Sequence, residues 1–164
     1  MQNVKIRNAQ FRDYQSLSGI FRLANALHVE LRPDLYREVQ KPIPKKLFLL
    51  GVLARDYLHY EPELLKVAEC DGQVVGAVHV ESKYRTRLSW SAFPSEAYLD
   101  NICVLPEFRQ KGIGSLLLKD AQIWSRNKGH QHMWAKILPE NETSLAFFKN
   151  ASFKTDGINM GLRL

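Results

Sequence analysis

From Tyr98 to Trp124 the chain runs Y-L-D-N-I-C-V-L-P-E-F-R-Q-K-G-I-G-S-L-L-L-K-D-A-Q-I-W, an extended segment passing through a short basic turn straight into a periodic helix. Ile113, Leu116, Leu117, Ala121 and Trp124 recur at helical spacing and share one face. Gly129 supplies a stop, with Arg126 and Lys128 in the last turn, where cations suit the dipole. Upstream, Tyr98 to Val104 carries the aromatic and β-branched residues of a strand, and Pro106 ends its ladder. The turn between strand and helix is therefore pinned at a helix N-terminus.

A helix N-terminus presents unpaired N–H groups and the positive end of the dipole. Gly112 and Gly114 let an anion reach that backbone without Cβ interference, and Arg109 and Lys111 add charge at the same mouth. The combination fits a diphosphate. Two nucleotide patterns fail on spacing: no G-x-x-x-x-G-K-[ST] is present, and Gly114 is followed by Ser115, Leu116 and Leu117 where a dinucleotide fingerprint needs its third glycine. A plain helix-capping turn would explain one glycine and leave the basic pair without a reason.

Arg109-Gln110-Lys111-Gly112-Ile113-Gly114 resembles the [QR]-x-x-G-x-[GA] signature of the GNAT superfamily of acetyl-CoA-dependent N-acetyltransferases, with the V-x-P that often precedes it at Val104 to Pro106. Farther on, N-E-T-S-L-A-F-F-K-N-A-S-F from Asn141 resembles the family's N-x-x-A-x-x-F-Y-x-x-x-G-F segment, with Phe147, Phe148 and Phe153 in the aromatic positions. The resemblance implies an α/β fold: a mixed, mostly antiparallel sheet with helices on both faces, strands four and five splayed around the cofactor. It implies acetyl-CoA as co-substrate, its pantetheine arm on the backbone of Ile102, Cys103 and Val104. Its diphosphate would lie against Arg109, Gln110, Lys111, Gly112, Ile113, Gly114 and Ser115, with Asn141 and Phe148 on the cofactor side. Dimers are common in the family, so the resemblance leaves a homodimer open.

With 164 residues, a single N-acetyltransferase domain over 1–164 is expected. Lys5 and Arg7 stand near the start with no apolar run behind them, and the longest apolar stretch, 47–54, is too short to cross a bilayer, so a cytoplasmic protein without a membrane partner is expected. Cys70 and Cys103 lack C-x-x-C spacing and read as buried thiols of a reducing compartment. The formal charge of +6 is scattered along the chain, and a triphosphorylated cofactor accounts for part of it, which argues against a nucleic-acid partner.

Taken in order, Val4 and Ile6 alternate as an edge strand, and Asp13 stands near the start of a helix with Leu17, Ile20, Phe21, Ala24, Leu27 and Leu31 on one face. Pro33, Pro42 and Pro44 break the next segment, where Arg32, Asp34, Tyr36 and Arg37 are candidate acceptor contacts. Pro44 opens a second helix with Leu47, Leu50, Ala54, Tyr57 and Leu58 as its apolar face. Strands at 64–70 and 73–82 form a hairpin through Asp71-Gly72. In that hairpin His79 and Glu81 spell H-x-E without the P-C-x-x-C of zinc deaminases, so no metal is expected. Residues 83–96, with Trp90 and Phe93, read as an irregular link; 132–138 reads as a fifth strand, Asn141 as a helix cap, and 153–164 as closing strands.

Acyl transfer to nitrogen needs a proton acceptor for the amine, because an alkyl ammonium with a pKa near ~10.4 cannot attack a thioester. Asp100, on the strand leading to the turn, is the candidate catalytic base, and L-D-N-I-C-V-L-P resembles an L-E-G-x-x-V-L-P segment of certain aminoglycoside acetyltransferases with its carboxylate at Asp100. Tyr98, two residues earlier, shares its face and is the second catalytic candidate; Glu81 and Glu96 are fallback bases. The tyrosine that often protonates the departing sulfur in the family falls at Phe148, and Ser152 replaces a usual glycine. Two readings stand at this point: transfer of acetyl from acetyl-CoA to a primary amine of a small molecule or peptide by direct attack, or a coenzyme-binding sensor or scaffold with little turnover.

Overall fold

The computed structural model describes residues 3–39, 45–58, 63–84 and 93–157. Its elements are β1 Val4–Asn8, α1 Tyr14–Leu31, α2 Lys45–Leu58, β2 Glu63–Cys70, β3 Gln73–Tyr84, β4 Ser95–Val104, α3 Ile113–Asn127, β5 Met133–Trp134 and α4 Glu142–Asn150. The five strands form one sheet in sequential order, antiparallel from β1 to β4, with β5 parallel to β4. Among the described residues no helix is long and apolar enough to cross a membrane.

Each face of the sheet carries its own core. On one, Leu64, Val78, Val80 and Leu99 pack against Ile113, Leu117 and Ala121 of α3 and Phe148 of α4. On the other, Val67, Ala77 and Cys103 meet Leu17, Ile20 and Phe21 of α1 and Phe48 and Val52 of α2. Strand alternation divides β2, β3 and β4 between these faces. The β2–β3 hairpin turns through Asp71 and Gly72 at φ 49° and 82°, the paired positive values that match strand twist.

A β-bulge interrupts the β3–β4 ladder. His79 pairs with Asn101 and Val80 with Leu99, so Asp100 is the extra residue. Without that insertion Leu99 and Ile102 would point to opposite faces; with it both join the α3-side core, and Tyr98 and Asp100 turn toward α1.

Several sequence expectations are corrected. Leu116 is 44% exposed and Leu118 takes its place in the core, because the buried stripe of α3 runs through 113, 117, 121 and 124 with 118 beside it. In α2 the described buried residues are Phe48 and Val52, whereas Leu50 is exposed; the helix is apolar nearly all round, so periodicity does not choose its inner stripe. The side chains of Leu47, Tyr57 and Leu58, and Pro44 and Trp90 altogether, lie outside the described residues. The hairpin strand β3 extends to Tyr84 and β4 begins at Ser95, so the irregular link is shorter than 83–96. The fifth strand shrinks from 132–138 to Met133–Trp134, since only Ala97 and Tyr98 of β4 pair with it before the strands part. Residues 153–157 form no strand, and the rest of the expected closing strands lies outside the described residues.

Arg7 ties the edge strand to the entry of α1. Its guanidinium donates to both Asp13 oxygens at 2.6 and 2.9 Å and to Glu69 at 2.7 Å, while Asp13 also accepts from the Gln10 N–H at 2.7 Å. Asp13 is 3% exposed. Burial pushes its carboxyl upward, but Arg7 and the Gln10 amide outweigh burial and hold it below the usual carboxylate range. A depressed carboxyl adds stability above its unfolded pKa and loses it as the pH falls through the folded value. Arg7→Met is expected to destabilise the fold by about 2 kcal/mol at pH 7, by leaving Asp13 buried and under-satisfied, and by less in acid. Urea denaturation at pH 7 and in acid reads both; an equal loss at the two pH values would contradict the account.

Candidate active site

β4 and β5 part company after Tyr98. Ala97 still donates its N–H to the His132 carbonyl at 2.9 Å, and the ladder ends one residue later. At the fork Trp134 packs on Tyr98 with ring centroids 4.4 Å apart and tilted by 37°, and the buried indole Nε1 has no hydrogen-bond partner among the described residues. Beyond the fork lies a cleft of about 460 Å³. One wall is residues 99–104 of β4, the facing wall 135–138, the roof Ala24, Leu27, His28 and Leu31 of α1, and the far end Arg109 with the first turn of α4.

Open strand edges leave N–H and C=O groups without ladder partners, which is costly unless water or a ligand meets them. The chain directly past this edge is the basic turn. Gln110 and Gly112 take φ of 59° and 79°, two left-handed residues that bend the chain into the N-terminus of α3. Gly112 is the N-cap and carries no side chain to cap the first amides of the helix, so those donors are left to a ligand or solvent. Gly114 allows close packing instead: a Cβ there would stand 3.3 Å from Phe147 Cε2 of α4. Arg109 Nε donates to the Val104 carbonyl at 2.9 Å, and Lys111 Nζ sits 5.2 Å from the Phe108 ring centroid. An arrangement of this kind can hold an anion at the turn and an extended polar chain along β4. Both features fit an acyl-carrying phosphopantetheine thioester.

The residues expected to bind a cofactor divide accordingly. Ile102, Cys103, Val104, Arg109, Asn141 and Phe148 line the cleft. Gln110, Lys111, Gly112, Gly114 and Ser115 lie at the turn beyond its end, and Ile113 is 1% exposed, its side chain in the core, leaving only its backbone for binding. Asn141 caps α4, its Oδ1 accepting from Ser144 N at 3.0 Å, and Phe148 makes edge contacts with Phe147 and Phe153.

At the opposite end of the cleft the bulge presents Asp100. Its Oδ2 accepts from His79 Nδ1 at 3.1 Å and from Asn101 Nδ2 at 3.3 Å. His79 Nε2 in turn lies 3.2 Å from Glu63 Oε2. Burial pulls the imidazole down, but its bonds to Asp100 and Glu63 prevail and lift it to about 9. Asp100 is correspondingly held below the usual carboxylate range, chiefly by the His79 hydrogen bond. The His79 contribution to stability is complete below its unfolded value of 6.5 and is lost as the pH rises through about 9.

Glu81 pairs with Lys83 and lies opposite Tyr98 in the ladder. Ligand atoms of Glu63, His79 and Glu81 fall within 4.8 Å of one another, although both His79 nitrogens are engaged in the pairs above. Tyr98 stays a phenol at neutral pH, raised first by burial and then by the charges of Asp100 and Glu81. Glu96 is buried and bonded to His132 Nδ1 at 2.8 Å. Of the loop after α1, Arg32 is paired with Asp34 and reaches Glu140 across the cleft at 3.4 Å, and Tyr36 packs on His28 at 5.2 Å. Phe93 stacks on His132 at 5.1 Å, away from the cleft lining. His28 of α1 also lines the cleft, and nothing local in the sequence marks it, because it sits within an apolar helical pattern and Asp100, whose charge acts on it, is remote in sequence.

A family model described as the acetyltransferase (GNAT) family matches residues 24–153. N-alpha-acetyltransferase 60 of Xenopus tropicalis is 30% identical over 99 residues, which is 52% of this chain and 41% of that protein. The chain spans about half the length, or less, of the curated relatives it matches. Among solved structures, a mutant of the BH1408 protein from Bacillus halodurans superposes with a TM-score of 0.84 at 18% identity, covering 98% of this chain and 99% of that one. The aminoglycoside N-acetyltransferase AAC(6')-Iy, in complex with CoA, gives 0.68 at 21% identity over 100% and 96% of the two chains. At these identities the two structures speak for the fold.

Proposed function

The chain belongs to the acetyltransferase (GNAT) family, and from that premise we propose that it moves an acetyl group from acetyl-CoA to a primary amine by direct attack on the thioester. The observation that carries this reading is the cleft opened where β4 leaves β5, running from Arg109, next to the left-handed turn at Gln110 and Gly112, to the bulged Asp100. The amides of residues 111–115 take the diphosphate, with Arg109 and Lys111 as counter-charge. Ile102, Cys103 and Val104 present backbone to the pantetheine arm. The thioester end then lies near Leu99 and Asp100, under α1.

Asp100, an anion kept ionised by His79, holds the cationic acceptor at this end, with Glu63 and Glu81 adding to the negative field. Tyr98 stands on the same face as a hydrogen-bond donor. Relatives bearing the names N-alpha-acetyltransferase and aminoglycoside N(6')-acetyltransferase frame the acceptor as a peptide α-amine or a polyamino sugar. Two buried free thiols support a reducing, cytoplasmic setting.

Phe148 has no proton for the departing sulfur and is 5% exposed. A thiol with a pKa near ~8.5 leaves readily as thiolate. Phe148→Tyr is therefore expected to change turnover by less than about threefold, within ~0.7 kcal/mol of barrier; a tenfold gain would mean that sulfur protonation limits the rate. The reading as a whole is tested by thiol release from acetyl-CoA with a polyamine, an aminoglycoside and a short peptide bearing a free α-amine. Amine-dependent release supports it, and no binding of acetyl-CoA by calorimetry would overturn it.

A further inference from the structure

Resting on the transferase reading above, we propose that His28 is the catalytic base: its ring nitrogen takes the proton from the acceptor amine as that nitrogen attacks the thioester. Few groups at the reacting end have hydrogen-bonding capacity to spare. Asp100 already accepts from His79 and Asn101. His79 is bound at both nitrogens, His130 spans Ser82 and Ser95, and His132 spans Glu96 and Asp156. Among the described residues, His28 is the histidine that lines the cleft with neither ring nitrogen hydrogen-bonded to protein.

Its position follows from α1. Leu17, Ile20 and Phe21 anchor the first half of the helix on the sheet, and the last two turns continue over the open edge of β4, where Ala24, Leu27, His28 and Leu31 form the roof of the cleft. The ring packs on Tyr36 at 5.2 Å, tilted 34°, which fixes its plane from behind. Asp100 lines the same cleft, and its charge acts on the imidazole. An ammonium group drawn to Asp100 is thereby placed under a nitrogen with a free lone pair.

Burial holds the His28 pKa below 6.5, against the upward pull of Asp100. The imidazole is then neutral and ready to accept a proton at pH 7, whereas a carboxylate bound to an imidazolium is a weak acceptor. The titratable groups around it are Asp100 on β4, Tyr36 behind it, and Lys136, Glu140 and Glu142 farther along the cleft. In the balanced step, the bound ammonium gives one proton to His28, which passes it to solvent. The neutral amine nitrogen then bonds to the carbonyl carbon and its second proton passes to the same ring nitrogen. The carbon–sulfur bond then breaks and coenzyme A leaves as thiolate. The imidazolium returns its proton to solvent or to that thiolate.

The test uses His28→Ala and His28→Gln in the full chain, with acetyl-CoA and whichever amine of the polyamine, aminoglycoside and peptide set the wild type acetylates. Both variants should lose about 100-fold in kcat, bind acetyl-CoA with unchanged affinity, and lose the acid limb of the kcat profile. Added imidazole should restore part of the turnover of His28→Ala, which a merely packing role would not permit. NMR of ring-labelled histidine should show His28 titrating below pH 6.5 in the wild type and lower still in Asp100→Asn. Turnover within threefold of wild type, an intact acid limb, or no rescue by imidazole would overturn the role of His28 and leave the transferase reading in place. A wild type that binds no acetyl-CoA would overturn both.

Discussion

Gly112→Glu is expected to weaken acetyl-CoA binding by at least about 1,000-fold, roughly 4 kcal/mol, without unfolding the protein. Gly112 sits at φ 79° as the N-cap of α3, with open space around the position a Cβ would take. A glutamate there brings a carboxylate to the amides that would meet the diphosphate, and fills the donor cluster with a charge of the wrong sign for the ligand. The left-handed backbone adds a cost of about 1 kcal/mol for a residue with a Cβ. Gly112→Asn separates the two effects, because asparagine tolerates this conformation and brings no charge; it should bind within about tenfold of wild type. Calorimetry with a thermal melt reads both, and equal losses for Glu and Asn would assign the effect to backbone strain.

Asp100→Asn is expected to lower kcat/KM for the amine by about 100-fold, near 2.7 kcal/mol, with the affinity for acetyl-CoA unchanged. The carboxylate attracts the ammonium at short range, an interaction worth about 4 kcal/mol at 4 Å for a site of intermediate dielectric and less here, where the side chain is 37% exposed. Most of the change should appear in KM, since the lost contact is with the substrate in its ground state. The same substitution removes a main partner of His79, so the imidazole should titrate well below the value of about 9 it has beside two carboxylates. Raised salt should reproduce part of the KM effect in the wild type. A variant within fivefold of wild type in kcat/KM, with His79 unmoved, would contradict the placement of the acceptor.

Local rules carried much of the fold. The Asp71-Gly72 turn, the start of α3 at Gly112 and the Asn141 cap were legible because each is decided by residues a few positions apart. The basic turn proposed to take the diphosphate was legible for the same reason. The reacting end was not. Its central feature, the bulge at Asp100, arises from the register of β4 against β3, and the His79 link joins residues 21 apart in sequence. Nothing in the pattern L-D-N-I says that Asp100 is an extra residue. The early end of β5 was equally hidden: Ala135 to Leu138 have strand character, but they face a cleft instead of a neighbour. The inner stripe of α2 stayed ambiguous because too many of its residues are apolar for periodicity to decide.

The most direct measurement is a titration of ¹⁵N-labelled protein with acetyl-CoA, followed at the backbone amides of residues 111–115. The account predicts that these amides move first and farthest, that CoA lacking the acetyl group moves them equally, and that pantetheine, which has no diphosphate, leaves them still. Saturable binding of acetyl-CoA with those five amides unshifted would contradict it.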